Sequence, residues 1–157
     1  MKKAIHALLA SALLASTAIA AQPEDIVTPI RQFIDGFNKG DTKSAFAAYA
    51  TGDITIVDEF APHRWSGPNA PQAWAADYDK HAVATGVTDG LVKYSAPTRT
   101  EIEGDLAYVV FPTVYLYKDH GNPTAEEGQV TMVLHAEAGG WKIRSWTWAG
   151  VKPHPAK

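Results

Sequence analysis

The feature that most constrains this chain is a change of hydrophobic period at Gly90. Before it, apolar residues recur at helical spacing; after it they alternate two by two almost to the end. Leu91 to Glu103, Ala107 to Lys118, Glu127 to Glu137 and Trp141 to Ala149 predict four long strands. They are joined at Gly104-Asp105, at His120-Gly121-Asn122-Pro123 and at Gly139-Gly140. Sequential strands with tight turns make an antiparallel meander, and a one-sided meander needs other elements to cover its apolar face.

The N-terminal half supplies them. Gln22 to Asn38 carries Ile26, Ile30, Phe33, Ile34 and Phe37 along one helical stripe, starting at Glu24 or at Thr28-Pro29 and closing at Gly40. Asp41 caps a shorter helix that presents Ala45, Phe46 and Tyr49 to the same core. Pro68-Asn69-Ala70-Pro71 opens a third helix reaching about Ala84 before Gly86, with Trp74, Tyr78, His81 and Ala82 on one face and Asp77 beside them. The expected fold class is α+β, with three N-terminal helices packed on a strongly curved antiparallel sheet and a pocket enclosed between them.

With 157 residues and 46% hydrophobic residues, the chain suits one domain, residues 21–157. Residues 1–20 read as a secretory signal peptide: Lys2 and Lys3, an Ala/Leu-rich run from Ala4 to Ala15, and a small-x-small site at Ala18-Ile19-Ala20. Cleavage would leave 12 Lys plus Arg against 17 acids, a net charge of −5. Such a domain is a poor match for nucleic acid or for an anionic membrane after the leader is removed. Without cysteine, an exported protein stands without disulfides, and neither a lipoprotein anchor nor a thiolate site can form. Periplasmic location is the first expectation and free secretion the second.

Between the second and third helices, Thr51 to Gly67 reads TGDITIVDEFAPHRWSG, a strand to Phe60, a turn at Ala61-Pro62-His63 and a short return strand from Arg64. Ile54, Ile56 and Asp58 share one face of that strand, and Thr55, Val57 and Glu59 the other. If the isoleucines face inward, Asp58 goes in with them, and a carboxylate among apolar groups has its pKa raised, as a general base requires. The ordinary alternative is a salt bridge from Asp58 to Arg64 across the hairpin. Glu59, on the opposite face, is not expected to pair with Asp58.

The element order resembles the nuclear transport factor 2-like superfamily, the cone-shaped α+β fold of ketosteroid isomerase, scytalone dehydratase and the SnoaL-like polyketide cyclases. The motifs that carry it are FNKGD at Phe37 to Asp41, TGDITIVDEF at Thr51 to Phe60 and GGWKIRSWTWAG at Gly139 to Gly150. The resemblance spans about Glu24 to Val151 and implies a cone-shaped barrel, a small-molecule pocket and a homodimer. It places Asp58 where the base of ketosteroid isomerase would be. That enzyme, a worked case of pKa tuning, uses a Tyr and a protonated Asp as oxyanion donors. Here the corresponding positions are Phe33 and Thr131 or Met132, which offer neither group.

Asp58 is thus the candidate base, with His81 as acid/base partner. Phe33, Tyr49, Ile56, Trp65, Trp74, Tyr78, Met132, His135, Trp146 and Trp148 are expected pocket residues, suited to a small apolar or aromatic molecule. Each has a bland alternative: a helix-face His81 with one bond, a turn His63, and tryptophans that fill the core or an interface. His63, His81 and His135 show no metal-ligand spacing, so neither metal nor cofactor is expected. No GxSxG, glycine-rich phosphate loop, HExxH or Cys nucleophile is present. The function expected is small-molecule binding with an isomerase, cyclase or dehydratase-like step. Its rivals are a non-catalytic binding or interaction module and an accessory protein presenting its outer sheet face to a partner.

Overall fold

The computed structural model describes residues 23–157, and the leader expected at residues 1–20 lies outside them. Three helices precede most of the sheet: α1 (Pro23–Lys39), α2 (Thr42–Phe46) and α3 (Ala70–Thr85). The strands are β1 (Ile54–Val57), β2 (Arg64–Gly67), β3 (Val87–Tyr94), β4 (Arg99–Glu103), β5 (Leu106–Asp119), β6 (Asn122–Glu137), β7 (Gly140–Gly150) and β8 (His154–Pro155). They form one curved, unclosed sheet in the order β2-β1-β7-β6-β5-β3, with β4 also on β5 and β8 on β6. This is the expected α+β cone.

The helices form where the sequence signals place them. On α1, Ile26, Ile30, Phe33 and Ile34 are each at most 8% exposed, and burying each such side chain contributes roughly 1.5–3 kcal/mol. Pro29 lies inside this helix, so the earlier of the two starts holds. The Asp41 carboxylate accepts from Ser44 N at 3.0 Å and caps α2. Gly86, with φ of 71°, closes α3 in the left-handed conformation.

Several boundaries differ from the sequence reading. The strand expected over Leu91 to Glu103 is two strands end to end, both paired with β5, with the chain leaving the ladder at Ser95 to Thr98. Pro97 has no N–H to donate, and Pro112 on the facing strand has none either. Strand β6 begins five residues early, at Asn122, because the turn needs only His120-Gly121, with φ of 48° and 85°. Strand β1 stops at Val57, and it lies parallel to β7 through Thr55–Ser145, Ile56–Trp146 and Val57–Thr147. That parallel seam docks the β1–β2 hairpin onto the meander and carries Asp58 to the sheet's concave side.

Candidate functional site: an aromatic cavity lined by two carboxyl groups

A half-open cavity of about 130 Å³ lies between α1, α3 and the concave face of the sheet. Helix α1 contributes Phe33, Ile34 and Phe37, and α3 contributes Trp74, Tyr78 and His81. The sheet contributes Val92, Tyr115, Tyr117, Val130, Met132, Trp146 and Trp148, and the turn after β1 contributes Asp58, Glu59 and Phe60. The rings brace one another. Trp74 meets Trp146 edge-on at 5.1 Å and stacks along α3 on Tyr78 at 5.8 Å, while Tyr115 stacks on Tyr117 at 4.8 Å.

Asp58 is half-buried in this wall. Its Oδ2 accepts from Trp74 Nε1 at 2.8 Å and its Oδ1 from the Glu59 backbone N–H at 2.8 Å. Burial pushes its pKa up to about 6, against the pull of those two donors, and the nearby Glu59 charge adds to the rise. The Arg64 pairing is not formed: Arg64 Nε donates to Ser66 Oγ at 3.1 Å instead. The indole outcompetes the guanidinium because Asp58 turns inward, whereas Arg64 starts an exposed strand.

Glu59 also lines the cavity, contrary to the alternation argument. The strand ends at Val57, and the turn closed by Asp58 N to His63 O and His63 N to Phe60 O no longer alternates. Across the cavity wall the Glu59 carboxyl hydrogen-bonds to Glu126, a β6 residue that is only 1% exposed. Two carboxyls bond only when one keeps its proton. Burial and then the Glu59 partner push Glu126 up to about 8, against a weaker pull from Trp148, whose Nε1 lies 3.4 Å from Glu126 Oε1. Glycine at 150 makes room for this carboxyl, since a Cβ there would overlap Glu126 Oε1.

The Tyr78 and Tyr115 hydroxyls meet at 2.5 Å. One donates to the other, so the accepting hydroxyl keeps its own proton for a ligand. Burial raises the pKa of both phenols, which stay neutral donors. Gly90 permits the meeting, because a Cβ there would press on both oxygens.

Of the residues expected around the pocket, Phe33, Trp74, Tyr78, Met132, Trp146 and Trp148 line the cavity, with His81 at its exposed rim, stacked on Phe60 at 5.1 Å. Tyr49, Ile56, Trp65 and His135 do not. The Tyr49 hydroxyl accepts from Trp146 Nε1 at 2.8 Å, behind the wall. Ile56 is fully buried beside Trp146, and Trp65 packs on Phe60 while donating to Asp77 Oδ2 at 3.0 Å. His135 stands on the other face of β6, with Nε2 3.2 Å from Asp105 Oδ2. The buried face is Val130, Met132 and Leu134, and His135 has the opposite parity.

The sequence reading missed Glu126 outright and held Tyr115 and Tyr117 only as members of the strand from Ala107 to Lys118. The signal existed: counting back by twos from Met132 through Val130 and Gly128 reaches Glu126. Among the described residues, no group of three or more His, Asp or Glu is arranged to hold a metal ion, and no helix is long and apolar enough to cross a membrane.

The fold and site together define a protein of the nuclear transport factor 2-like fold, a cone of curved sheet and helices around a cavity. Solved structures share it at low identity. A Salmonella enterica serovar Typhimurium protein of the nuclear transport factor 2-like superfamily is 17% identical over 85% of this chain and 91% of its own, with a TM-score of 0.66. A ketosteroid isomerase-like protein from Erwinia carotovora atroseptica is 18% identical over 82% and 95%, with a TM-score of 0.63. A provisionally named aromatic ring hydroxylase from Novosphingobium aromaticivorans is 12% identical over 85% and 92%, with a TM-score of 0.68. No protein-family profile and no curated protein matches the sequence.

Proposed function

We propose that this protein binds a small, mostly apolar ring compound in the cone and moves a proton on it without a cofactor, with Asp58 as the base. The observation that carries this reading is the Asp58 carboxylate in an aromatic cavity wall, fixed by Trp74 and pushed to about 6. A base poised near neutrality combines a useful ionised fraction with appreciable basicity. Asp58 takes a proton from a carbon beside a carbonyl and returns it to another carbon of the same ligand, or the ligand loses water, so no oxidant or reductant is consumed. The Tyr78–Tyr115 hydroxyl pair offers the carbonyl oxygen a neutral donor, standing in for the groups that Phe33 and Met132 lack.

The reading is tested by incubating single-ring ketones and β-hydroxyketones with the protein in deuterated water and following deuterium incorporation or dehydration by NMR. Turnover with wild type that falls at least about a hundredfold in Asp58→Asn supports Asp58 as base. Binding of these compounds without exchange by either form replaces it with a non-catalytic binding module. Export and pairing of two copies belong to the same proposal, checked by N-terminal sequencing of the expressed protein and by its solution mass.

A further inference from the structure

We infer that the ligand of this cavity is a single-ring compound carrying a positively charged amine, seated with its ring among Trp74, Trp146 and Trp148 and its ammonium against Asp58 and Glu59. This rests on the cavity being a small-molecule site and not on Asp58 acting as a base.

Size sets the ring count. An apolar protein cavity of roughly 150 Å³ accommodates benzene. The cavity here, about 130 Å³ and open on one side, therefore takes one ring with a substituent toward the mouth, and is too small to enclose a fused four-ring ligand.

Charge sets the substituent. Asp58 and Glu59 both line the cavity, Glu126 stands directly behind Glu59, and neither lysine nor arginine is among the lining residues. None of the ion pairs among the described residues includes any of these three carboxyls. Even with one proton held between Glu59 and Glu126, Asp58 and this pair border a largely apolar cavity, and the group of opposite sign that acts on Asp58 is the exposed His63 of the same turn. His81, at the rim, spends its ring face on Phe60 and makes no ion pair. A ligand carboxylate would meet repulsion here, and a neutral ligand would leave the charges uncompensated. An ammonium would be paired with them, and the aromatic rings lining the same cavity, Trp148 and Tyr117 among them, are of the kind that attracts a cation.

The test uses three probes of one shape: benzylamine, benzyl alcohol and benzoate, titrated into the full chain at pH 7.5 with tryptophan fluorescence and calorimetry as readouts. Benzylamine, cationic at that pH, is expected to bind about tenfold or more tighter than benzyl alcohol, with benzoate weakest. Glu59→Gln, a change at an exposed turn residue, is expected to remove most of that preference, read as the ratio of benzylamine to benzyl alcohol affinity within each protein. Asp58→Asn provides a second variant with the same expectation. Benzyl alcohol or benzoate binding as tightly as benzylamine overturns the amine assignment and leaves the cavity reading standing. A preference unchanged in both variants overturns the assigned seat of the charge. Failure of all three probes to bind overturns this proposal together with the small-molecule reading.

Discussion

The two ends of the β5–β6–β7 meander are made from the same alternating strands and do opposite things. Near the Gly104 turn, Ala107, Val109, Leu134 and Ile143 are at most 2% exposed and join Ile26, Ile30 and Ile34 in one apolar cluster. Near the His120 turn, the same inward face presents Tyr115, Tyr117 and Trp148 to a cavity and buries Glu126 behind its wall. The first end is filled by the stripe of α1. At the second, rings stack or meet edge-on, polar atoms are buried in place of methyl groups, and space remains. A filled end stabilises, and an end holding buried carboxyls gives up stability.

Four substitutions sharpen that contrast, from the largest effect to the smallest. Leu134→Ala, at the closed end, is expected to lose about 3–5 kcal/mol in urea denaturation, since it removes a fully buried side chain with no water to refill the space. Ring-probe binding should survive it; loss of binding would mean the two ends are coupled.

Glu126→Gln should do the reverse under alkaline conditions. A carboxyl raised from 4.5 to about 8 favours the folded state fully below pH 4.5, and that contribution is lost as pH rises through 8. The amide variant should therefore gain roughly 2–4 kcal/mol over wild type at pH 9 and little at pH 4. Equal denaturation midpoints for the two proteins at pH 9 would contradict the buried proton.

Asp58→Asn follows the same sign with a smaller size. Its folded value of about 6 lies above the ordinary 3.8, so ionisation costs stability as pH rises through 6. The amide that replaces the carboxylate would keep an acceptor for Trp74, and a gain of about 1–2 kcal/mol in thermal melts at pH 8 is expected, with none at pH 3. The smallest change is Tyr115→Phe, which removes one hydroxyl of the Tyr78 pair and should cost about 1 kcal/mol or less in the same melts. A larger loss would make the pair a structural clasp in place of a free donor.

Much of the fold was legible because its signals are local. The α1 stripe, the Asp41 cap, the Gly86 stop and the change of period at Gly90 each depend on neighbours within a turn or two. Asp58 was legible for the same reason: Ile54 and Ile56 hold the strand's phase, and Asp58 follows one step past its end. Glu59 was misplaced where that phase ran out, at the turn. His135 was misplaced by one step of parity, because nothing in the strand itself says which of its faces α1 covers. Tyr49 and Trp65 were expected to line the pocket, yet Trp146 and Asp77 draw them behind the wall.

The sequence by itself determined the elements, their order, the apolar faces and the delivery of an acid from the end of the first strand, since periodicity and capping act over a few residues. Only the tertiary structure decided which end of the meander stays open, that Glu59 meets Glu126, and that Tyr78 meets Tyr115. Those pairs join residues far apart in the chain, and their meeting depends on register across the sheet and on the docking of α3. A single strand does not contain that information.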